Sequence, residues 1–316
     1  MTRAAESADL LAAARAGSPR ALARLISLVE SGSTRVANPA RSGSDGVGRG
    51  GGAHVIGITG SPGVGKSTTT NALVSALRAR GRRVAVLAVD PSSPFTGGAL
   101  LGDRIRMGDH ATDTGVFIRS MAARGQLGGL AAATPAVVRV LDAVGFDTIL
   151  VETVGVGQSE VDIAAGADTT LVLLAPGMGD GIQAAKAGIL EIGDVLAVNK
   201  ADRPGAHETM REIRSMLRLG ARMPRAWRPP VLAVSAAAGT GIEELLDALE
   251  AHRAHAAADG TLDARRRARA RAEIEAVVLA RVRERVAAQV ADAARAVVAG
   301  GSDPHTAADE IVAALG

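Results

Sequence analysis

Gly60-Ser61-Pro62-Gly63-Val64-Gly65-Lys66-Ser67 joins spaced glycines to a lysine and a hydroxyl, between an apolar run and a helical segment. That order of residue types suits a polyphosphate. The glycines let backbone N–H groups face phosphate oxygens, and the next helix N-terminus adds its dipole. Lys66 supplies a mobile charge for the β- and γ-phosphates. Ser67 offers a hydroxyl to Mg²⁺, with Thr68 beside it. A Gly-rich turn without function is the bland alternative, and the strand and helix flanks speak against it.

Asn199-Lys200-Ala201-Asp202 follows another apolar run. A carboxylate such as Asp202 accepts from both N1–H and the exocyclic amine of guanine. Adenine lacks that donor pair, so a buried Asp202 would reject it strongly. The Lys200 stem can lie along the base. Four residues are a weak signal alone and a strong one downstream of a phosphate cradle. In Val234-Ser235-Ala236, after the last apolar run, a backbone amide can meet the guanine carbonyl. The two motifs together point to GTP. Lysine occurs at positions 66, 186 and 200 only, against 36 basic residues in all. A lysine kept in a chain that otherwise uses arginine suggests a need for a compact, flexible ammonium.

Asp90 closes the run Val84–Val89 and faces the phosphate site as a Mg²⁺ ligand through water or as a group that orients water; a turn aspartate is the alternative. Glu152 ends Ile149-Leu150-Val151, where an acidic residue holds Mg²⁺ through water. Gly155 offers a backbone N–H to the γ-phosphate. Gln158 is a second candidate for orienting the hydrolytic water, or an interface residue. Arg104, Arg106, Arg119 and Arg124 are read as loop residues that approach phosphates or form loop salt bridges.

Seven short runs, Val55–Thr59, Val84–Val89, Val116–Ile118, Thr148–Glu152, Thr170–Ala175, Val195–Asn199 and Val231–Ser235, alternate with helical segments. Several are apolar on both faces, as buried parallel strands are. The expected fold is α/β, a doubly wound, mostly parallel sheet with its loops of function at the carboxyl ends of the strands. Residues 5–30 read as helices, with Ser18-Pro19 opening the second and Leu22, Leu25, Ile26 and Val29 on one face. Residues 31–53 are Gly/Ser/Arg-rich and read as a linker. Residues 262–299 form one long helix with a stripe of Ile274, Val278, Val282, Val286, Val290 and Val297, ended by Gly300-Gly301 and followed by a helix capped at Asp303-Pro304. The domains expected are 1–53, 54–255 and 256–316, the last a dimerisation arm.

The chain is 47% hydrophobic and 1% aromatic, so its core is aliphatic. Cysteine is absent, which excludes disulfides and thiolate metal sites and suggests a reducing, cytoplasmic setting. Residues 1–17 lack a signal-peptide core, and no uninterrupted apolar run approaches the ~18 residues of a membrane span. The pI near 10.1 accompanies a net charge of only +3. With three Lys and no Cys or Tyr, little titrates between histidine and arginine, and a small arginine excess lifts the isoelectric point. Neither nucleic acid nor membrane is an expected partner. The run Arg265-Arg266-Arg267, with Arg269 and Arg271, lacks interleaved aromatics for base stacking and reads as a solvated helix face. His252 and His255 share a helical face, but two neutral ligands make a poor metal site, and both read as surface residues.

Five phrases, starting at Ile56 (through Thr68), Leu101 (through Met107), Phe117 (through Leu130), Glu152 (through Glu160) and Ala175 (through Gln183), resemble the MeaB/ArgK family of P-loop GTPases. The likeness spans roughly residues 18–30 and 54–316. It implies a chaperone of adenosylcobalamin-dependent acyl-CoA mutases, chiefly methylmalonyl-CoA mutase, which gates cofactor loading and protects the mutase. It further implies a homodimer, Mg²⁺ and GTP hydrolysis to GDP. By position, Lys66 and Ser67 serve phosphate and metal, and Asp90 and Asp103 belong to a mobile loop near the metal. Glu152 to Glu160 form a second switch, and Pro176 to Gly188, with Lys186, a third that faces the mutase. The alternative is a P-loop phosphotransferase, against which the guanine motif speaks.

Overall fold

The computed structural model describes residues 3–33, 52–91, 110, 112–123, 133–153, 159–177, 189–220 and 226–315. Asp103, Arg104, Arg106, Arg124, Gly155, Gln158, Lys186 and most of the linker lie outside them. The chain divides into two compact units, Met1–Arg265 and Arg266–Gly316.

The first unit holds a seven-stranded sheet: β1 (His54–Thr59), β2 (Val84–Pro91), β3 (Val116–Ala123), β4 (Thr148–Thr153), β5 (Thr169–Leu174), β6 (Val195–Val198) and β7 (Val231–Ala233). Its order is β3-β2-β4-β1-β5-β6-β7. Every adjacent pair is parallel, with Ile58 opposite Glu152 of β4 and Leu171 of β5. All seven runs expected from sequence are strands. β1, β4 and β5 are buried along their whole length, because helices cover both faces.

Its helices are α1 (Arg3–Arg15), α2 (Pro19–Glu30), α3 (Lys66–Ala79), α4 (Thr134–Val144), α5 (Ser159–Gly166), α6 (Ile189–Ile192), α7 (Ala206–Gly220) and α8 (Ile242–Ala258). Strand alternation distributes them. Ile56 and Ile58 share one core with Leu73, Val74 and Leu77 of α3 and Leu245, Leu246 and Leu249 of α8. Val55, Leu87 and Ile149 point the other way, into a core with Val137, Val140 and Leu141 of α4. The alternation keeps the two layers separate although each strand is apolar throughout.

The N-terminal helices join that second core. Ser18 Oγ accepts from Ala21 N at 3.3 Å and Pro19 occupies the first turn of α2, so the helix starts where sequence places it. Leu22, Leu25, Ile26 and Val29 are buried, each contributing about 1.5–3 kcal/mol. Segment 1–53, set apart by composition, thus supplies helices to the core of the first unit.

A long helix, α9 (Thr261–Val298), begins in the first unit and continues into the second, which also holds α10 (Pro304–Ala313). Asp303 caps α10, accepting from His305 N at 2.9 Å and Thr306 N at 3.2 Å. On α9, Ile274 is 64% exposed and Val278 51%. No described helix is long and apolar enough to cross a membrane.

Candidate nucleotide site

The 60–67 loop leaves the carboxyl end of β1, the central strand where chain connections diverge to either side of the sheet. That is where α/β sheets bind ligands. Gly60 and Gly65 have φ of +144° and +95°. A Cβ at Gly60 would collide with the carbonyl oxygen of Leu173, and one at Gly65 with the Asn199 amide nitrogen. Glycine is required there by backbone angle and by space. Lys66 begins α3, and its Nζ donates to Gly60 O at 2.7 Å. The ammonium curls back over the loop and rests on the carbonyls of Gly60 and, at 3.4 Å, Ser61.

Asn199 binds the two motifs to each other. Its Nδ2 donates to Val64 O at 2.8 Å, and its Oδ1 accepts from Ala236 N at 3.0 Å. The side chain is buried, so both bonds are shielded from water. Lys200 Nζ donates to Gly63 O at 2.6 Å. Lys200 also has φ of +58°, unique among described non-glycine residues. A left-handed backbone in a lysine costs about 1 kcal/mol, and the contacts on both sides hold it there. Asp202 Oδ1 accepts from Ser235 Oγ at 2.6 Å. That bond holds the exposed carboxyl below the usual carboxylate range, so Asp202 is an anion ready for paired N–H donors. Ala236, expected from sequence to contact the base, gives its N–H to Asn199 instead.

Glu152 ends its run on β4 with only 1% of its surface exposed. Its Oε1 accepts from Ser67 Oγ and its Oε2 from Thr70 Oγ1, both at 2.8 Å. Since the Ser67 proton points at the carboxylate, the lone pairs of that oxygen are left for a hard cation. These residues fit Mg²⁺, which takes few protein oxygens and keeps several waters. Thr70 was invisible as a site residue from sequence; the usable signal is its position three residues after Ser67, on the same helical face. Asp90 lies near the carboxyl end of β2, opposite Ala122.

Other readings are corrected. Arg119 is a strand residue that donates to Glu30 and, at 3.0 Å, to Ser27 Oγ on α2; it ties β3 to the N-terminal helices. His252 is no surface residue but 2% exposed. Its Nδ1 lies 2.8 Å from Thr169 Oγ1, which lies 2.8 Å from His54 Nε2. Arg265, assigned to a solvated face, donates twice to Asp194, at 2.6 and 2.8 Å. This polar cluster occupies the amino ends of β1, β5 and β6. A cavity of about 430 Å³ beside it is lined in part by Trp227, His255 and Asp259, at the opposite end of the sheet from the glycine loop.

Comparison with known proteins agrees with this geometry. A protein of Pyrococcus abyssi whose name gives it as a GTPase is 49% identical over 261 residues, 82% of this chain and 80% of that protein. The mouse protein named methylmalonic aciduria type A homolog, mitochondrial, is 40% identical over 215 residues, 67% of this chain and 52% of that protein. A crystal structure titled LAO/AO transport system kinase superposes over 100% of this chain and 99% of that one, with TM-score 0.68 and 25% identity. The family model described as methylmalonyl Co-A mutase-associated GTPase MeaB matches residues 22–291. A glycine loop braced to the Asn199–Asp202 loop, within a match over most of the chain, makes this a P-loop GTPase that belongs to the MeaB family.

Proposed function

We propose that this chain binds and hydrolyses GTP with Mg²⁺ in order to gate cofactor loading of, and protect, an adenosylcobalamin-dependent acyl-CoA mutase, methylmalonyl-CoA mutase first among them. The observation that carries the nucleotide part is Asn199 holding Val64 of the phosphate loop and Ala236 of the base loop at once. The mutase part is supported by the family match over residues 22–291.

In this reading Asp202 selects guanine, and the Lys66 ammonium moves from its loop carbonyls to the β- and γ-phosphates. Ser67 contributes an oxygen to Mg²⁺, and Glu152 holds that hydroxyl and, through water, the metal. Bound Mg²⁺ neutralises the charge that develops between the β- and γ-phosphates. Asp90 or Gln158 orients the attacking water, Asp103 lies near the metal, and Gly155 contacts the γ-phosphate. Hydrolysis is slow alone and rises when the mutase completes the site. Lys186 carries the coupling, α9 joins two copies into a homodimer, and the protein works in the cytoplasm.

The test is GTP turnover with and without a cobalamin-dependent acyl-CoA mutase. Expected are a complex and a changed rate; no complex and no change with any such mutase sinks the proposal. Lys186→Ala should spare GTP affinity and reduce stimulation by the mutase, and full stimulation would make Lys186 a surface residue. The solved neighbour's title favours one second reading, a kinase. Transfer of labelled γ-phosphate to an acceptor other than water distinguishes it.

A further inference from the structure

We infer that Thr70 is a positioning residue for the metal: it fixes the Glu152 carboxylate, and through it the direction of the Ser67 hydroxyl. The inference rests on the reading that Mg²⁺ accompanies the nucleotide.

Thr70 is fully buried and sits three residues after Ser67 on α3, so both hydroxyls face β4. They grip the two oxygens of one carboxylate, Ser67 on Oε1 and Thr70 on Oε2. The Thr70 oxygen also lies 3.0 Å from Lys66 O. It has one proton and two acceptors in range, and the closer one is the carboxylate. A carboxyl terminus on a long side chain turns about a broad, two-fold torsion. With Oε2 held, that rotation is stopped and Oε1 stays under Ser67. The Ser67 proton is then committed to Glu152, and its lone pairs project away from the carboxylate, toward the position a cation would take beside the phosphates. Without Thr70, the carboxylate can turn and the serine hydroxyl can rotate its proton into the metal position. Partners one shell out from a metal act in this way, and their loss typically weakens metal binding roughly 10–100-fold.

A different role would be space filling at a buried position, and the two separate cleanly. Valine keeps the shape of threonine and removes the donor; serine keeps the donor and removes the methyl. GDP affinity is measured on the full chain by displacement of a fluorescent guanine nucleotide, in EDTA and across a MgCl₂ series. For the unaltered protein the affinity should rise with Mg²⁺ to a plateau. Thr70→Val should leave affinity in EDTA unchanged and move the Mg²⁺ midpoint up roughly 10-fold, and Thr70→Ser should restore it. Thr70→Ala, which cannot crowd the site, should match the valine variant should that one fold poorly. A valine or alanine midpoint equal to that of the unaltered protein overturns the inference and leaves the Mg²⁺ reading standing. An unaltered protein whose GDP affinity ignores Mg²⁺ overturns that reading itself.

Discussion

The two ends of the same sheet carry polar clusters of opposite kind. At the amino ends of β1, β5 and β6, bonds close on themselves: Asp194 accepts twice from Arg265 and once from Thr170 N, and His252 and His54 meet across Thr169. At the carboxyl ends, bonds align groups toward a space between the loops. Ser235 fixes an exposed Asp202, Lys66 rests on a loop carbonyl, and Ser67 gives its proton to Glu152, which leaves its lone pairs free to face outward. The amino end lies against the start of α9 and satisfies buried groups so that strands can stop there. The carboxyl end accepts strain at Lys200, the one described non-glycine residue with positive φ. Strain and outward-facing charge mark the end that works; closed pairing marks the end that holds.

The comparison predicts opposite outcomes for changes at the two ends. Lys66→Ala should lower GTP affinity about a thousandfold, roughly 4 kcal/mol for two charged phosphate contacts. Its folding stability should change by less than about 1 kcal/mol, since the bonds of Nζ to Gly60 O and Ser61 O stay within its own loop. Calorimetric binding and urea unfolding measured together decide this. If Lys66→Ala unfolds the protein before it loses the nucleotide, the loop belongs with the structural end.

Asp194→Ala should do the reverse. Removing one partner of a buried charge pair costs roughly 3–5 kcal/mol, here visible as a lower urea midpoint, while GTP affinity at 25 °C stays as it was. A large loss of affinity in a folded variant would show that β6 transmits the state of its amino end to Asn199, and the two ends would no longer be independent.

The contrast also explains what could be read from sequence. Strands and glycine loop were legible because period, turn residues and motif spacing are local. Ser18 and Asp303 were legible as caps for the same reason. Thr70 was not, because its partner Glu152 is 82 positions away and only the parallel pairing of β1 with β4 brings them together. His252 and Arg265 were misread because a helical pattern shows which residues share a face, not what that face meets. Trp227 Nε1 donating to Asp194 O at 2.8 Å belongs to the same class. Arg119 was misplaced by a strand that runs five residues beyond Ile118.

Asp202→Asn sharpens the working end alone. An amide offers one acceptor and turns a donor toward a guanine donor, so GTP affinity should fall about a hundredfold, near 3 kcal/mol. ATP affinity should hardly move, and preference for guanine should collapse. Competition of each nucleotide against a labelled guanine nucleotide measures it, and an unchanged GTP-to-ATP ratio would remove Asp202 from base recognition.

The smallest effect comes from acid, and it belongs to the holding end. Burial pushes the Asp194 carboxyl up, but the Arg265 and His252 hydrogen bonds pull it further down, to about 2 from an ordinary value of 3.8. A depressed folded value means that the unfolded chain takes up its proton first. The stabilisation is therefore complete above about pH 4 and is lost as pH falls through about 2, and a drop of that size is worth about 2 kcal/mol. Other aspartates, among them Asp113 and Asp303, are also held below their ordinary value by hydrogen bonds, so the effect is read as a difference between two chains. Asp194→Asn keeps an acceptor for Thr170 N and cannot ionise. The difference in unfolding free energy between the native chain and this variant should be constant from neutral pH down to about pH 5 and then shrink by about 2 kcal/mol toward pH 2. A difference that stays flat through that window would mean that Arg265 grips the amide as well as the carboxylate, and that shape rather than charge closes the amino end of the sheet.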